Sequence, residues 1–318
     1  MDQIRLPQLA RLNNALRRGR GWYRRQMARW QRVRPAAEGM SEAAALAALK
    51  QDRAQQRWEA AAVLGKDSLR SRDSIAGLVV ALADPEPFVR WQSAEALAAQ
   101  EPGRVFPVLR ALLSDRNALR RAGAAEALGR MGGEAAAVAL RGALEDGAAV
   151  VRASAARALG LCGDPSTAPV LLPLLSDPDA EVRCAAATAL GHIGSPNLAY
   201  DVAEALLQPG QPLLVRRALT AALVHIPHPE IQSILMIALV DPDAQVRGYA
   251  AEALGQVGSE EAYELLAAAR EDFGVLLHGK VADVATRALD LLDRRGRRAP
   301  AIPTATAADG DQGEGAAA

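Results

Sequence analysis

The sequence predicts an all-α protein, a right-handed α-solenoid of about seven to eight helix pairs, and three observations carry that prediction. Arginine recurs at Arg57, Arg90, Arg121, Arg152, Arg183, Arg216 and Arg247 with spacings of 31 or 33 residues, and a fixed period near thirty is the signature of stacked two-helix units. Each of these arginines stands seven residues before a leucine: Leu64, Leu97, Leu128, Leu159, Leu190, Leu223 and Leu254. Hydrophobic residues make up 50% of the chain while aromatics are only 3%, so the core must be built from Ala and Leu, which suits close-packed helices and not strands.

Three segments follow from the pattern. Residues 1–40 contain ten arginines against Asp2 and Glu38. Within them, residues 7–18 read as a helix with Leu9, Leu12 and Leu16 in register, stopped by Gly19 and Gly21. Residues 22–34 place Trp22, Tyr23, Met27 and Trp30 on one side of a helix and Arg24, Arg25, Arg29 and Arg32 on the other, a basic amphipathic helix. Residues 41–293 form the repeats, each burying its apolar face on its neighbours, so that the 318-residue chain needs no single large core. Residues 294–318 lack large apolar side chains apart from Ile302 and are expected to be a disordered tail.

Residues 177–207 serve as the reference unit. Asp177-Pro178 is expected to end one helix and start the next, with Pro tolerated in the first turn. Val182, Ala185, Ala186, Ala189, Leu190 and Ile193 then form an apolar stripe at three-and-four spacing, and Gly194 closes the helix. The unit therefore reads Asp-x4-Val-Arg-x2-Ala-Ala-x-Ala-Leu-Gly-x-apolar-Gly, clearest in "DPDAEVRCAAATALGHIG" and "DPDAQVRGYAAEALGQVG". This motif resembles the HEAT-like repeats first associated with phycobilin lyases, over roughly residues 41–293. Around Arg216 the Asp-Pro pair gives way to "QPGQPLL"; in the first unit the acid shifts to Asp52, and in the last Ala282 takes the arginine's place. Atypical terminal units are expected, because they cap the exposed core.

The repeat arginines are expected to pair with the turn acids Asp84, Asp115, Asp146, Asp177 and Asp241 of adjacent units as a structural ladder. Function is then expected on the variable positions just after each arginine. There Trp58 and Trp91 occupy equivalent places in successive units, with Arg217 and Tyr249 further along, and Trp is enriched among residues that anchor partners. Di-iron deoxyhypusine hydroxylases of similar repeat type carry His-Glu pairs in that slot, and this chain has none. His192, His225 and His228 would have to converge to bind zinc, but the equivalent positions elsewhere hold Lys66, Arg130 and Gln256. Cys162 falls on a core position and Cys184 on a groove position, and two cysteines make no disulfide framework.

The expected function is a non-enzymatic scaffold or adaptor that binds another protein through its groove and its basic arm, without metal or cofactor. The resemblance implies a rival, a bilin lyase or chromophore chaperone. A further rival is peripheral attachment to an anionic membrane surface through residues 1–40. Nucleic acid is the least favoured partner, because residues 41–318 carry a net charge of −8 and phosphate binding needs surplus positive charge. No run approaches the 18 or so apolar residues of a membrane span, so the expected location is the cytoplasm.

Overall fold

The computed structural model describes residues 39–66, 71–276 and 279–296. They form eight helix pairs: α1 (Glu42–Ala48) with α2 (Ala54–Leu64), α3 (Arg72–Ala81) with α4 (Pro87–Ala98), α5 (Pro102–Leu112) with α6 (Ala118–Met131), and α7 (Glu134–Arg141) with α8 (Ala149–Cys162). The second half continues with α9 (Ala168–Leu171) and α10 (Ala180–Ile193), α11 (Ala199–Leu207) and α12 (Leu213–Leu223), α13 (Gln232–Ala238) and α14 (Ala244–Val257), and α15 (Glu260–Ala268) and α16 (Val281–Gly296). Among the described residues, β structure amounts to one isolated bridge between Val275 and Lys280, and no helix is long and apolar enough to cross a membrane. The arm residues Trp22, Tyr23, Arg24, Arg25, Met27, Arg29, Trp30 and Arg32, and the tail from residue 297, lie outside the described residues.

The even helices form one layer and the odd helices the other. Successive even helices pack on one another along the whole stack, whereas successive odd helices touch little, so the stack curves toward the even layer. The outer element α9 is one turn long, flanked by 3-10 turns at Pro165–Thr167 and Leu172–Ser176. Pro169 and Pro173 remove backbone donors there, which accounts for the broken helix.

The Ala-Leu-Gly part of the motif governs how closely even helices approach. A Cβ added at Gly160 would lie 2.6 Å from Ala189 Cα, at Gly129 2.5 Å from Ala158 Cβ, at Gly255 2.8 Å from Ala288 Cα, and at Gly191 2.9 Å from Ala222 Cα. The glycine of one unit thus abuts the alanine of the next, while the leucine between them is fully buried in the core. Two units break this rule, with Ala98 and Val224 in the glycine's place, so the α4–α6 and α12–α14 seams lack the glycine side of this contact.

The repeat arginines span the turns on one edge of the stack. Arg152 donates from Nε and Nη2 to both carboxylate oxygens of Asp177 in the next unit, at 2.8 and 2.9 Å. Its Nη1 donates to the carbonyls of Asp146 and Gly147 in its own turn, at 2.8 and 3.3 Å. The same double contact joins Arg57 to Asp84, Arg121 to Asp146, Arg216 to Asp241 and Arg247 to Asp272. Each acid also accepts a backbone N–H two residues on, as Asp177 does from Asp179 at 2.9 Å.

Three details differ from the sequence expectation. Asp177-Pro178 does not start the helix: α10 begins at Ala180, and its N-cap is Asp179, whose carboxylate accepts from Glu181 and Val182. The carboxylate of Asp177 is committed to Arg152 and to the turn, so the second aspartate takes the cap. In the "QPGQPLL" unit the buried amide of Gln211 replaces the acid, accepting from Arg183 Nε at 3.2 Å and donating to Ala205 O at 3.0 Å. At Arg90 the ladder skips a step: the hydrogen bonds Arg90 makes are to the carbonyls of its own turn, Asp84 and Pro85, and Asp115 faces Arg120 at 3.5 Å instead.

The ladder has a pH signature. The guanidinium of the preceding unit holds Asp146, Asp177 and Asp272 below the ordinary carboxylate range, aided by the backbone N–H and opposed by partial burial. These groups bind protons less tightly folded than unfolded. Their stabilisation is therefore complete above the unfolded value of about 4 and is lost as pH falls through the lower folded values. The thermal midpoint is expected to stay level between about pH 7 and pH 5 and to fall below about pH 4, and Asp177→Asn should shrink that fall. A midpoint that holds steady through the acid range in the wild type would contradict the ladder's contribution.

Candidate partner-binding groove

The even layer presents its outward face one, two, five and nine residues after each repeat arginine. In the centre this face is small and smooth, with Ala122, Gly123, Ala153 and Ser154 buried. At Gly123 there is no room for a larger side chain, because a Cβ there would lie 2.7 Å from the Leu82 side chain at the end of α3.

At the N-terminal end the face carries its largest side chains. Trp58 on α2 and Trp91 on α4 are both half-buried, in the same register. The guanidinium of Arg130, on α6, lies 5.6 Å from the centroid of the Trp91 ring. Its Nε donates to Glu95 at 2.8 Å and its Nη1 approaches Glu126 at 3.7 Å. This arrangement combines cation–π attraction with a charge-assisted hydrogen bond. It bridges α4 and α6, the seam at which the arginine ladder skips a step and Ala98 replaces glycine. By spacing Arg130 is only the counterpart of Lys66, His192 and Gln256; its contact with Trp91 and Glu95 joins residues 35 and more apart and is invisible without the fold.

Further along, Arg217 on α12 is gripped along one edge of its guanidinium by Asp243, with Nε at 2.9 Å and Nη2 at 2.5 Å. That contact lowers the acidity range of Asp243 and commits the guanidinium to an internal pair. Tyr249 on α14 is half-buried against the core. The structure therefore brings Trp91 together with Arg130, Glu95 and Glu126, keeps Trp58 in the same register one unit earlier, and leaves Arg217 and Tyr249 at the far end of the stack.

The remaining candidates have quiet chemistry. Burial raises the thiol pKa of Cys162 and of Cys184, which makes neither a ready thiolate at neutral pH. Burial, and then the neighbouring His225, lower the pKa of His192. The Nδ1 of His228 accepts from Glu230 N at 3.3 Å as a turn cap. Among the described residues no three His, Cys, Asp or Glu side chains are arranged to hold a metal ion. On the odd layer, an open recess of about 820 Å³ lies between α5 and α7, lined among others by Phe106, Arg110, Leu113, Glu134 and Val138.

The sequence matches the family described as HEAT repeats over residues 42–128, 99–155, 141–223 and 201–275. No curated protein matches it significantly. Among solved structures, the Escherichia coli YibA protein is 21% identical with a TM-score of 0.61, over 85% of this chain and 97% of that one. The karyopherin Kap121p, bound to the extreme C-terminus of the phosphatase Cdc14p, is 13% identical with a TM-score of 0.62, over 80% of this chain and 33% of that one. The CpcE–CpcF complex of phycocyanin lyase from Nostoc is 22% identical with a TM-score of 0.41, over 82% of this chain and 97% of that one. At these identities the likeness is one of fold.

Proposed function

The chain belongs to the HEAT-repeat family, and on that premise we propose that it is a non-enzymatic scaffold that binds another protein along its even-helix groove. The observation that carries the proposal is the N-terminal end of this face, where Arg130 joins Trp91 to Glu95 and Trp58 holds the same register one unit earlier, on an otherwise smooth wall. Aromatic and arginine side chains at a rigid site are what partner hot spots use. Arg130 ties Trp91 to Glu95 across the α4–α6 seam, so these side chains lose little conformational freedom on binding. Binding here is recognition by shape and a few anchors, with no bond made or broken.

The test is affinity capture with the full chain and its Trp58→Ala/Trp91→Ala variant, identified by mass spectrometry and followed by measured affinities for the captured partner. Losing the pair is expected to cost about 2 kcal/mol or more, roughly thirtyfold in Kd, while the helical circular dichroism stays unchanged. A partner bound equally by both forms would place the site elsewhere.

Two other functions have separate tests. A bilin-lyase activity needs cations for the propionates, and the groove's Arg217 is already held by Asp243; the absence of a red-region absorbance change on adding a bilin would dismiss it. Peripheral membrane attachment through residues 1–40 predicts flotation with anionic liposomes that Arg24→Glu and Arg25→Glu reduce, and equal flotation of both forms would dismiss that.

A further inference from the structure

The odd layer of the C-terminal units carries an unpartnered face that mixes apolar and acidic side chains. Tyr200 on α11 and Ile237 on α13 are 58% and 57% exposed, and Tyr263 and Leu265 on α15 are each 40% exposed. The three helices are neighbours, α11 against α13 and α13 against α15. Around these side chains stand the exposed carboxylates of Asp201, Glu204, Glu230, Glu260, Glu261 and Glu264. The arginines of these units do not neutralise them, because Arg216, Arg217 and Arg247 are already held by Asp241, Asp243 and Asp272 on the turns. A face of this kind meets water at the cost of exposed aromatic and aliphatic surface, and such patches mark interaction sites.

The chain itself contains the complement. Residues 1–131 carry 23 Arg and Lys against 13 Asp and Glu, whereas residues 132–318 carry 14 against 24. The chain is neutral overall yet strongly polar from end to end. The positive excess is concentrated in residues 1–40, where Trp22, Tyr23, Met27 and Trp30 alternate with Arg24, Arg25, Arg29 and Arg32. Aromatic and arginine side chains are matched by an apolar face ringed with carboxylates, in both charge and hydropathy.

Covalent reach decides between the chain's own face and that of another copy. Helices of one layer lie roughly 8–10 Å apart, so α11 stands roughly 40–50 Å from α1, five helices along the odd layer. The segment between Trp30 and Met40 spans at most about 35 Å even fully extended. Trp30 and Arg32 therefore fall short of the acidic face in their own chain, so the aromatic–arginine stretch does not seat there as a whole. We propose that this face receives residues 22–34 of a second copy, so that the protein associates head to tail through a contact distinct from the groove. Such a contact is heterologous: each copy offers one arm and one face, and the assembly grows until it closes or is capped.

Sedimentation velocity of the full chain tests this. Self-association is expected at about 50 mM salt and should weaken roughly tenfold or more by about 500 mM, because exposed charges are screened. Arg25→Glu/Arg29→Glu should abolish it, and so should Glu204→Lys/Glu264→Lys, exposed positions outside the first helical turn. Mixing the two variants should restore association, since the unaltered arm of one then meets the unaltered face of the other. A wild type that is monomeric at both salt concentrations, association that survives either reversal, or a mixture that stays monomeric would each overturn the proposal. Because none of these residues lies in the groove, the outcome is independent of the Trp58/Trp91 test.

Discussion

Gly160→Val is expected to destabilise the stack by about 3 kcal/mol and to strip hydrogen-exchange protection from α8 and α10 together. Even a single methyl at Gly160 would stand 2.6 Å from Ala189 Cα and 2.7 Å from its Cβ. Neither atom has a torsion that would move it aside, so the helices themselves must separate. Since the stability of a repeat array sits in the interfaces between neighbouring units, the damage should localise there. Gly160→Ala isolates the cause. In an open helix Gly→Ala raises stability by up to about 1 kcal/mol, and at Gly103, where nothing lies within 4 Å of the added Cβ, that gain is expected. At Gly160 the sign should reverse, with a net loss of about 1–2 kcal/mol. Equal gains at both glycines would refute the close-contact account.

Arg152→Ala is expected to cost about 3 kcal/mol, and Arg90→Ala only about 1 kcal/mol. The side chains of Arg152 and Asp177 are 15% and 9% exposed, so removing the guanidinium leaves a largely buried carboxylate without its partner. It also frees two turn carbonyls. Arg90 makes the turn contacts alone. Arg152→Lys should recover little, because an ammonium cannot reach two carboxylate oxygens and two carbonyls from one planar fork. A double-mutant cycle of Arg152→Ala with Asp177→Ala measures the cross-unit contribution directly. Equal losses at Arg90 and Arg152 in urea unfolding would show that the turn contacts matter and the carboxylate does not.

Much of this architecture was legible in the residues, and the parts that were not share a cause. The periodic arginines, the apolar stripe before Leu190 and the left-handed Gly194 at the end of α10 (φ +70°) are local signals, since helix periodicity and caps depend on neighbours within a turn or two. The role of Gly160 was hidden because its contact, Ala189, lies in the next unit. A glycine near a helix end looks like a cap until the neighbouring helix is in place. Asp272 was missed because no arginine follows it six residues on, Ala282 taking that place ten residues later, and Gln211 because an amide can stand in for a carboxylate as acceptor. In the groove, the register of Trp58 and Trp91 was plain from spacing, but the contact of Arg130 with Trp91 was not.

The sequence by itself determined that this is an all-helical stack of two-helix units and marked the arginines and turn acids that recur along it. Short-range patterning decides those features, and the repeat copies it along the chain. Only the tertiary structure decided which acid each arginine grips, that the ladder skips a step at Arg90, that Arg130 closes that seam over Trp91, and that an apolar, acidic face stands open on α11, α13 and α15. Those depend on atoms brought within a few ångströms across a full repeat or more, a separation that the period alone does not convert into distance.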